Sequence, residues 1–249
     1  MIDQGRVEVT PKSRYLDDWV RVADALPTRT PTEAFGVRPG DDVLVLAAHP
    51  DDETLGAGAT VAALVMAGVD VHVIALTAGE AALAHLGYES PGLGARRRAE
   101  FTSACRRLGV STSLVLDLGD GLLSEREESV TEVVEAAVRR HRPAHVLTPW
   151  WQDPHPDHAA VGRACQHVAG HTDVDVSGYL LWALHWSHPD EILTGENRMV
   201  VLSHDEDALS ARRAAVHCYR SQTEPLLPVV EAVLPGDMVT ACLEIVASQ

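Results

Sequence analysis

The chain has 249 residues, 46% of them hydrophobic, and a net charge of -16 from 36 acidic against 20 basic side chains. That much apolar material excludes global disorder and suffices for one large α/β domain. The acidic balance repels phosphate backbones and anionic lipid head groups, so neither nucleic acid nor a membrane surface is an expected partner.

Residues 1–40 hold two proline-bearing stretches and one short helix near Leu16 to Leu26. They read as an N-terminal extension packed on a single domain spanning 1–249. Asp3, Arg6, Glu8 and Lys12 interrupt any apolar leader, so no signal peptide is expected. A regular alternation follows. The strand 42–48 leads to a helix near 54–67, stopped at Gly68. Val69 to Thr77 is the next strand. The glycine-rich stretch 79–94 reads as a loop over a site. A helix from Ala95 to Leu108 stops at Gly109, and Thr112 to Leu118 is a strand ending in Gly119-Asp120-Gly121. A helix over 127–140, a strand over 144–149 and a helix over 157–170 follow. Two extended stretches, 177–186 and 197–203, precede a helix near 205–218. Such alternation predicts an α/β fold: a Rossmann-like, mostly parallel sheet with helices on both faces and its site at the carboxyl ends of the strands. Cys105, Cys165, Cys218 and Cys242 form no CxxC pair, which fits reduced thiols in a cytoplasmic protein.

Two strand ends carry the chemistry. Val43 to Ala48 is short, uncharged and rich in β-branched residues, as a strand buried on both faces should be. It stops at His49-Pro50-Asp51-Asp52-Glu53. The strand 144–149 leads through Trp150, Trp151, Gln152, Asp153 and Pro154 to His155-Pro156-Asp157-His158. A catalytic zinc site takes three protein ligands and keeps one position open. His49, Asp52 and His158 supply such a set, leaving Asp51 free as a base beside it. His155 then faces the oxygen that gains charge, as imidazolium or as a hydrogen-bond donor. Taken singly, the acidic run is an ordinary helix N-terminus and the prolines are ordinary turns. Two such motifs on one sheet are a poor match to coincidence. Of the 13 histidines, His72, His85, His141, His145, His167 and His171 read as surface or core residues.

With these residues in place the chain resembles the PIG-L/LmbE family of zinc-dependent N-deacetylases. The resemblance rests on Ala48 to Glu53 and His155 to His158. Arg97-Arg98-Ala99-Glu100, Asp120-Gly121 and Tyr219-Arg220-Ser221-Gln222 support it. It implies a Rossmann-like fold that hydrolyses N-acetyl groups on glucosamine-containing compounds. It implies His49, Asp52 and His158 as ligands of one Zn2+ per chain, with Fe2+ or Co2+ as substitutes. It implies Asp51 as the base that later protonates the amine, and His155 as the oxyanion partner. Arg97 and Asp120 match positions that bind substrate, and Asp157 one that orients a histidine. No tyrosine precedes the second histidine motif, so the oxyanion role a tyrosine plays there in some relatives has no carrier here. Trp150 and Trp151 read as core packing before a sugar platform.

The leading expectation is removal of a small acyl group from a small-molecule aminosugar, in a protein compatible with a homo-oligomer. Amide cleavage of a larger conjugate is the alternative, decided by a pocket shaped by 79–94 and 182–196. A non-catalytic sugar- or metal-binding module stands further off, because it has no need of Asp51.

Overall fold

The computed structural model describes residues 10–88, 90–193, 198–227 and 230–248. The expected Asp3, Arg6 and Glu8 segment, residue 89 of the 79–94 loop and residues 194–196 of the 182–196 stretch lie outside these. The chain builds one eight-stranded sheet in the order β1-β7-β8-β6-β5-β2-β3-β4. The strands are β1 (Thr28–Arg29), β2 (Asp42–Ala47), β3 (Asp70–Ala75), β4 (Thr112–Val115), β5 (His145–Pro149), β6 (Asp175–Tyr179), β7 (Arg198–Leu202) and β8 (Ile245–Ser248). Only β8 runs against the others, pairing antiparallel with both β6 and β7. The helices are α1 (Leu16–Ala23), α2 (Pro31–Phe35), α3 (Asp52–Met66), α4 (Leu93–Leu108), α5 (Glu127–His141), α6 (Pro156–Ala169), α7 (Trp182–Trp186), α8 (Pro189–Ile192), α9 (Glu206–Val216), α10 (Arg220–Thr223) and α11 (Gly236–Thr240).

The mostly parallel α/β architecture is the one the strand–helix alternation predicts. β2 lies between β3 and β5, parallel to both. Its apolar residues therefore meet a core on either side. Val43, Val45 and Ala47 pack with α3, α4 and α9 residues on one face, and Leu44 and Leu46 with α5 and α6 residues on the other. The strand order reverses between β2 and β5, so the loops leaving their carboxyl ends diverge and open a crevice.

Three local readings change. Residues 182–186 are helical, not extended, because an unbroken apolar run fits a buried helix as well as a strand. Within the stretch read as an N-terminal extension, Thr28 and Arg29 pair with Val201 and Leu202, making β1 an edge of the sheet. β8 has no counterpart in the sequence-based reading, since four residues after a polar Glu244 carry little periodic signal. The four cysteines are free. Among the described residues no helix is long and apolar enough to cross a membrane.

Candidate active site

The β2–α3 and β5–α6 junctions face each other across the crevice. α3 begins at Asp52 with Asp51 at its N-cap, and α6 begins at Pro156 with His155 at its N-cap. Both helices thus direct their N-terminal, positive ends toward the same space. α6 can approach because residue 162 is glycine. A Cβ there would lie 2.5 Å from the Pro149 carbonyl oxygen and 2.6 Å from Trp151 Cα. Asp51 has φ 123°, in the left-handed region that favours glycine. Its surroundings hold it there. Its carbonyl accepts from Thr54 and Leu55, its amide donates to Glu53, and its carboxylate pairs with Arg97 at 3.1 Å. Residues kept in such conformations cluster at functional sites.

His49, Asp52 and His158 each offer a ligand atom within 4.8 Å of the others, and all three are buried. His49 Nδ1 lies 3.6 Å from one Asp52 oxygen, and His158 Nε2 lies 3.2 Å from the other. The far side of each ring also meets carboxylate. His49 Nε2 lies 3.0 Å from Asp120 and 3.1 Å from Asp157. His158 Nδ1 lies 3.7 Å from Asp153. The Trp182 indole nitrogen lies 3.3 Å from His158 Nε2. His49, Asp120 and Asp157 also fall within 4.8 Å, but they share His49, and on its other nitrogen. Two imidazole nitrogens and a carboxylate, with carboxylates behind the rings, are a donor set that fits a catalytic divalent ion.

The electrostatics point the same way. Burial works against a charged His49, yet Asp120, Asp157 and Asp52 raise its pKa well above the ordinary value, an environment made for a cation. Burial also pushes Asp52 up, but His158 and His49 hold it well below the carboxylate range. Asp120 likewise stays at about 2 against burial, through its hydrogen bond with His49. Asp51 behaves differently. Burial raises it, Arg97 opposes, and the Asp52 and Glu53 charges add to the rise, leaving it at about 7. A carboxyl poised there can both take and return a proton near neutrality. Burial, with His158 and His49 beside it, lowers His155 to about 3. Burial thus disfavours the imidazolium form of His155 and favours a neutral ring that acts as a hydrogen-bond donor.

Arg97 and Asp120, the two residues expected to bind substrate, both line the cavity before the cluster and are also held by protein groups. Arg97 is 4% exposed: Nη1 donates to the Gly79 carbonyl, and Nη2 to the Pro50 carbonyl and Asp51, while Nε is buried without a hydrogen-bond partner among the described residues. Gly79, at φ 63°, lies so close that a Cβ there would overlap the guanidinium. Asp120 holds His49 and the Ala81 amide. Asp157, besides His49, accepts from the Gly121 and Leu123 amides, tying the loop after β4 to the site.

Other residues of the site escape a motif search. Glu53, fully buried, joins the Asp51 amide to the Tyr219 hydroxyl. Ser221, in the same stretch as Tyr219, donates to Glu100 on α4. Trp150 and Trp151 are buried in a cluster with Trp19 and Leu180. Trp182 and Trp186, one helical turn apart, line the cavity instead. That cavity holds about 410 Å³ and is bordered by the 79–94 loop at Ala81, Ala82 and His85.

Residues 44–169, about half of the chain, match the family described as PIG-L, GlcNAc-PI de-N-acetylase. The chain is 35% identical over 123 residues to a diacetylchitobiose deacetylase of Thermococcus kodakarensis, covering 48% of this chain and 46% of that protein. It is 27% identical over 190 residues to a probable N-acetyl-α-D-glucosaminyl L-malate deacetylase of Bacillus cereus, covering 74% and 85%. Against most curated relatives it spans about half of their length. The fold is similar to that of the zinc-inhibited form of teicoplanin deacetylase, with TM-score 0.60, 19% identity, and coverage of 73% and 85%.

Proposed function

The chain belongs to the PIG-L family, and from that premise we propose that it is a zinc-dependent hydrolase that removes an N-acetyl or similarly small acyl group from an aminosugar-containing small molecule. The observation that carries this is the position of Asp51. It stands beside the His49, Asp52 and His158 cluster without being part of it, and its pKa is about 7. A module that only bound metal or sugar would have no use for a strained, buried carboxyl there. A divalent ion held by His49, Asp52 and His158 supplies Lewis acidity toward the acyl oxygen and acidifies water.

The chain's own groups do the rest. Asp51 accepts the proton of the attacking water and then delivers it to the departing amine nitrogen. His155, neutral, donates toward the oxygen that becomes negative, with the α3 and α6 N-termini adding their positive ends. Arg97 fixes the Asp51 carboxylate, and Asp157 and Asp120 fix the His49 ring.

Asp51→Asn tests the reading. It keeps the side-chain shape and removes the proton acceptor. Zinc content and folding should stay normal while release of primary amine from N-acetylated aminosugars falls roughly 10²-fold or more. Turnover near that of the parent would refute the mechanism.

A further inference from the structure

A second cavity, of about 730 Å³, lies at the opposite edge of the sheet from the metal cluster. His145 and Asp175 border it. They are the first residues of β5 and β6 and pair with each other, whereas the metal motif follows the far end of β5. The volume is that of a small-molecule site. Phe35, from α2, stacks on the His145 ring with centroids 4.5 Å apart and forms part of the same wall. Trp151 lines the cavity too, two residues before the Asp153 that stands behind His158.

The polar groups of this wall want a partner. His145 is 4% exposed, and neither of its ring nitrogens has a hydrogen-bond partner among the described residues. Burial lowers its pKa to about 4, so the ring is neutral, with one nitrogen a donor and the other an acceptor. Gln166 Nε2, on α6, is buried without a partner as well. Unpaired buried polar atoms are costly, and a cavity lined by them is not one that stays dry. A hydroxyl group, which donates and accepts at once, answers both residues. The charges around it have one sign. Glu33, Asp173 and Asp175 line the cavity and are exposed, and no lysine or arginine joins them among the described lining residues. Such a mouth draws cations and turns anions away. A bare metal ion is a poor match, because among the described residues both clusters able to hold one include His49.

We propose that the cavity at the amino ends of β5 and β6 is a second ligand site, which takes a small hydroxylated amine in its ammonium form. The hydroxyls meet His145 and Gln166, and the ammonium faces Asp173 and Asp175. The inference goes beyond the deacetylase reading and does not depend on it. If that reading holds, the amine it releases belongs to this ligand class and the N-acylated substrate does not, so the site tells product from substrate by charge.

The experiment is an NMR titration of the zinc-loaded protein, labelled with nitrogen-15 in its histidine rings. The probes are glucosamine, N-acetylglucosamine and putrescine, a diamine without hydroxyls. The His145 signals are identified by their loss in His145→Phe, and they separate this site from the catalytic one. Glucosamine should shift them in a saturable way, while N-acetylglucosamine and putrescine should each bind about tenfold or more weakly, lacking the charge or the hydroxyls. Gln166→Leu should weaken glucosamine about tenfold at His145, and the double variant Asp173→Asn/Asp175→Asn should weaken it several-fold and remove its dependence on salt. Neither change should alter zinc content. His145 signals unmoved by glucosamine would overturn the proposal and leave water as the partner of His145 and Gln166. Equal binding of N-acetylglucosamine or of putrescine would overturn it as well. Failure to release amine from N-acetylated aminosugars would sink the deacetylase reading and leave this binding standing.

Discussion

Removing Arg97 should disable Asp51 on every substrate alike. Its guanidinium lies 3.1 Å from the Asp51 carboxylate, with both groups buried. Charges about 4 Å apart at an effective dielectric of about 20 interact by roughly 4 kcal/mol. That corresponds to about three pKa units at most, and water entering the vacated space returns part of it. Arg97 lowers the Asp51 pKa, so its loss must raise it, from about 7 toward 9. The base works only when ionised. At pH 7 the ionised fraction then falls from about a half to about one in a hundred, and kcat/KM falls about 50-fold. Activity should return as pH rises through the new value. The assay is the pH profile of kcat/KM for Arg97→Ala, on free N-acetylglucosamine and on its disaccharide. Both profiles should shift by about two units in the alkaline direction, with equal losses at neutral pH. Arg97→Lys, which cannot reach all three acceptors, should fall between. A loss confined to the disaccharide, with the profile unmoved, would show that Arg97 reads the distal part of the substrate and would refute this reasoning.

Asp157→Asn and Asp120→Asn should each weaken zinc affinity about 10- to 100-fold in chelator competition, because both carboxylates orient His49. Unchanged affinity would make them bystanders. Gly162→Ala must push α6 off backbone atoms of β5 and its following turn, at a cost of about 1–3 kcal/mol or more, which a melting curve reads as a fall of several degrees. An unmoved melting point would mean the helix has slack. Burial lowers the pKa of His145 from 6.5 to about 4. The unfolded chain therefore binds more protons between those values, so stability falls as pH drops through that window, by about 3 kcal/mol in all. Denaturant midpoints at pH 7 and pH 5 should differ, less so in His145→Phe; identical shifts in both proteins would exclude His145 as the source.

Much of this architecture is legible in the sequence, for identifiable reasons. β2 and β5 are short apolar runs that end abruptly in polar motifs, and such breaks survive any tertiary context. The parallel sheet follows from helices placed between strands. What stays hidden is whatever depends on partners distant in sequence. Nothing in Arg97 itself says that its guanidinium meets Gly79, Pro50 and Asp51. Nothing in Glu53 says that Tyr219 lies behind it. The tryptophans divide in the same way. Trp150 and Trp151 pack into the core, as the sequence reading has them, while Trp182 and Trp186 belong to a run read as extended, so their helical spacing is invisible.

The placement of β8 sets an order of events in the making of the protein. β7 and β1 reach the rest of the sheet only through β8. Just before β8, Glu244 spans back 184 and 185 residues to the amides of Thr60 and Ala59. These lie just past Ala57, where α3 departs from helical geometry, so Glu244 serves as a cap for the second half of the helix that starts at the metal motif. As a nascent chain leaves the ribosome, the part that precedes Glu244 already holds the His49, Asp52 and His158 cluster and Asp51 but lacks both the cap and the bridging strand. At about 5–20 residues per second, the wait between finishing β6 at Tyr179 and starting β8 at Ile245 is on the order of 3–13 s. Through that interval the edge of β6, and after Leu202 that of β7, stands unpaired and open to other chains. Synthesis of residues 244–248 is therefore the step at which the open edges are bridged and the interrupted helix gains its cap.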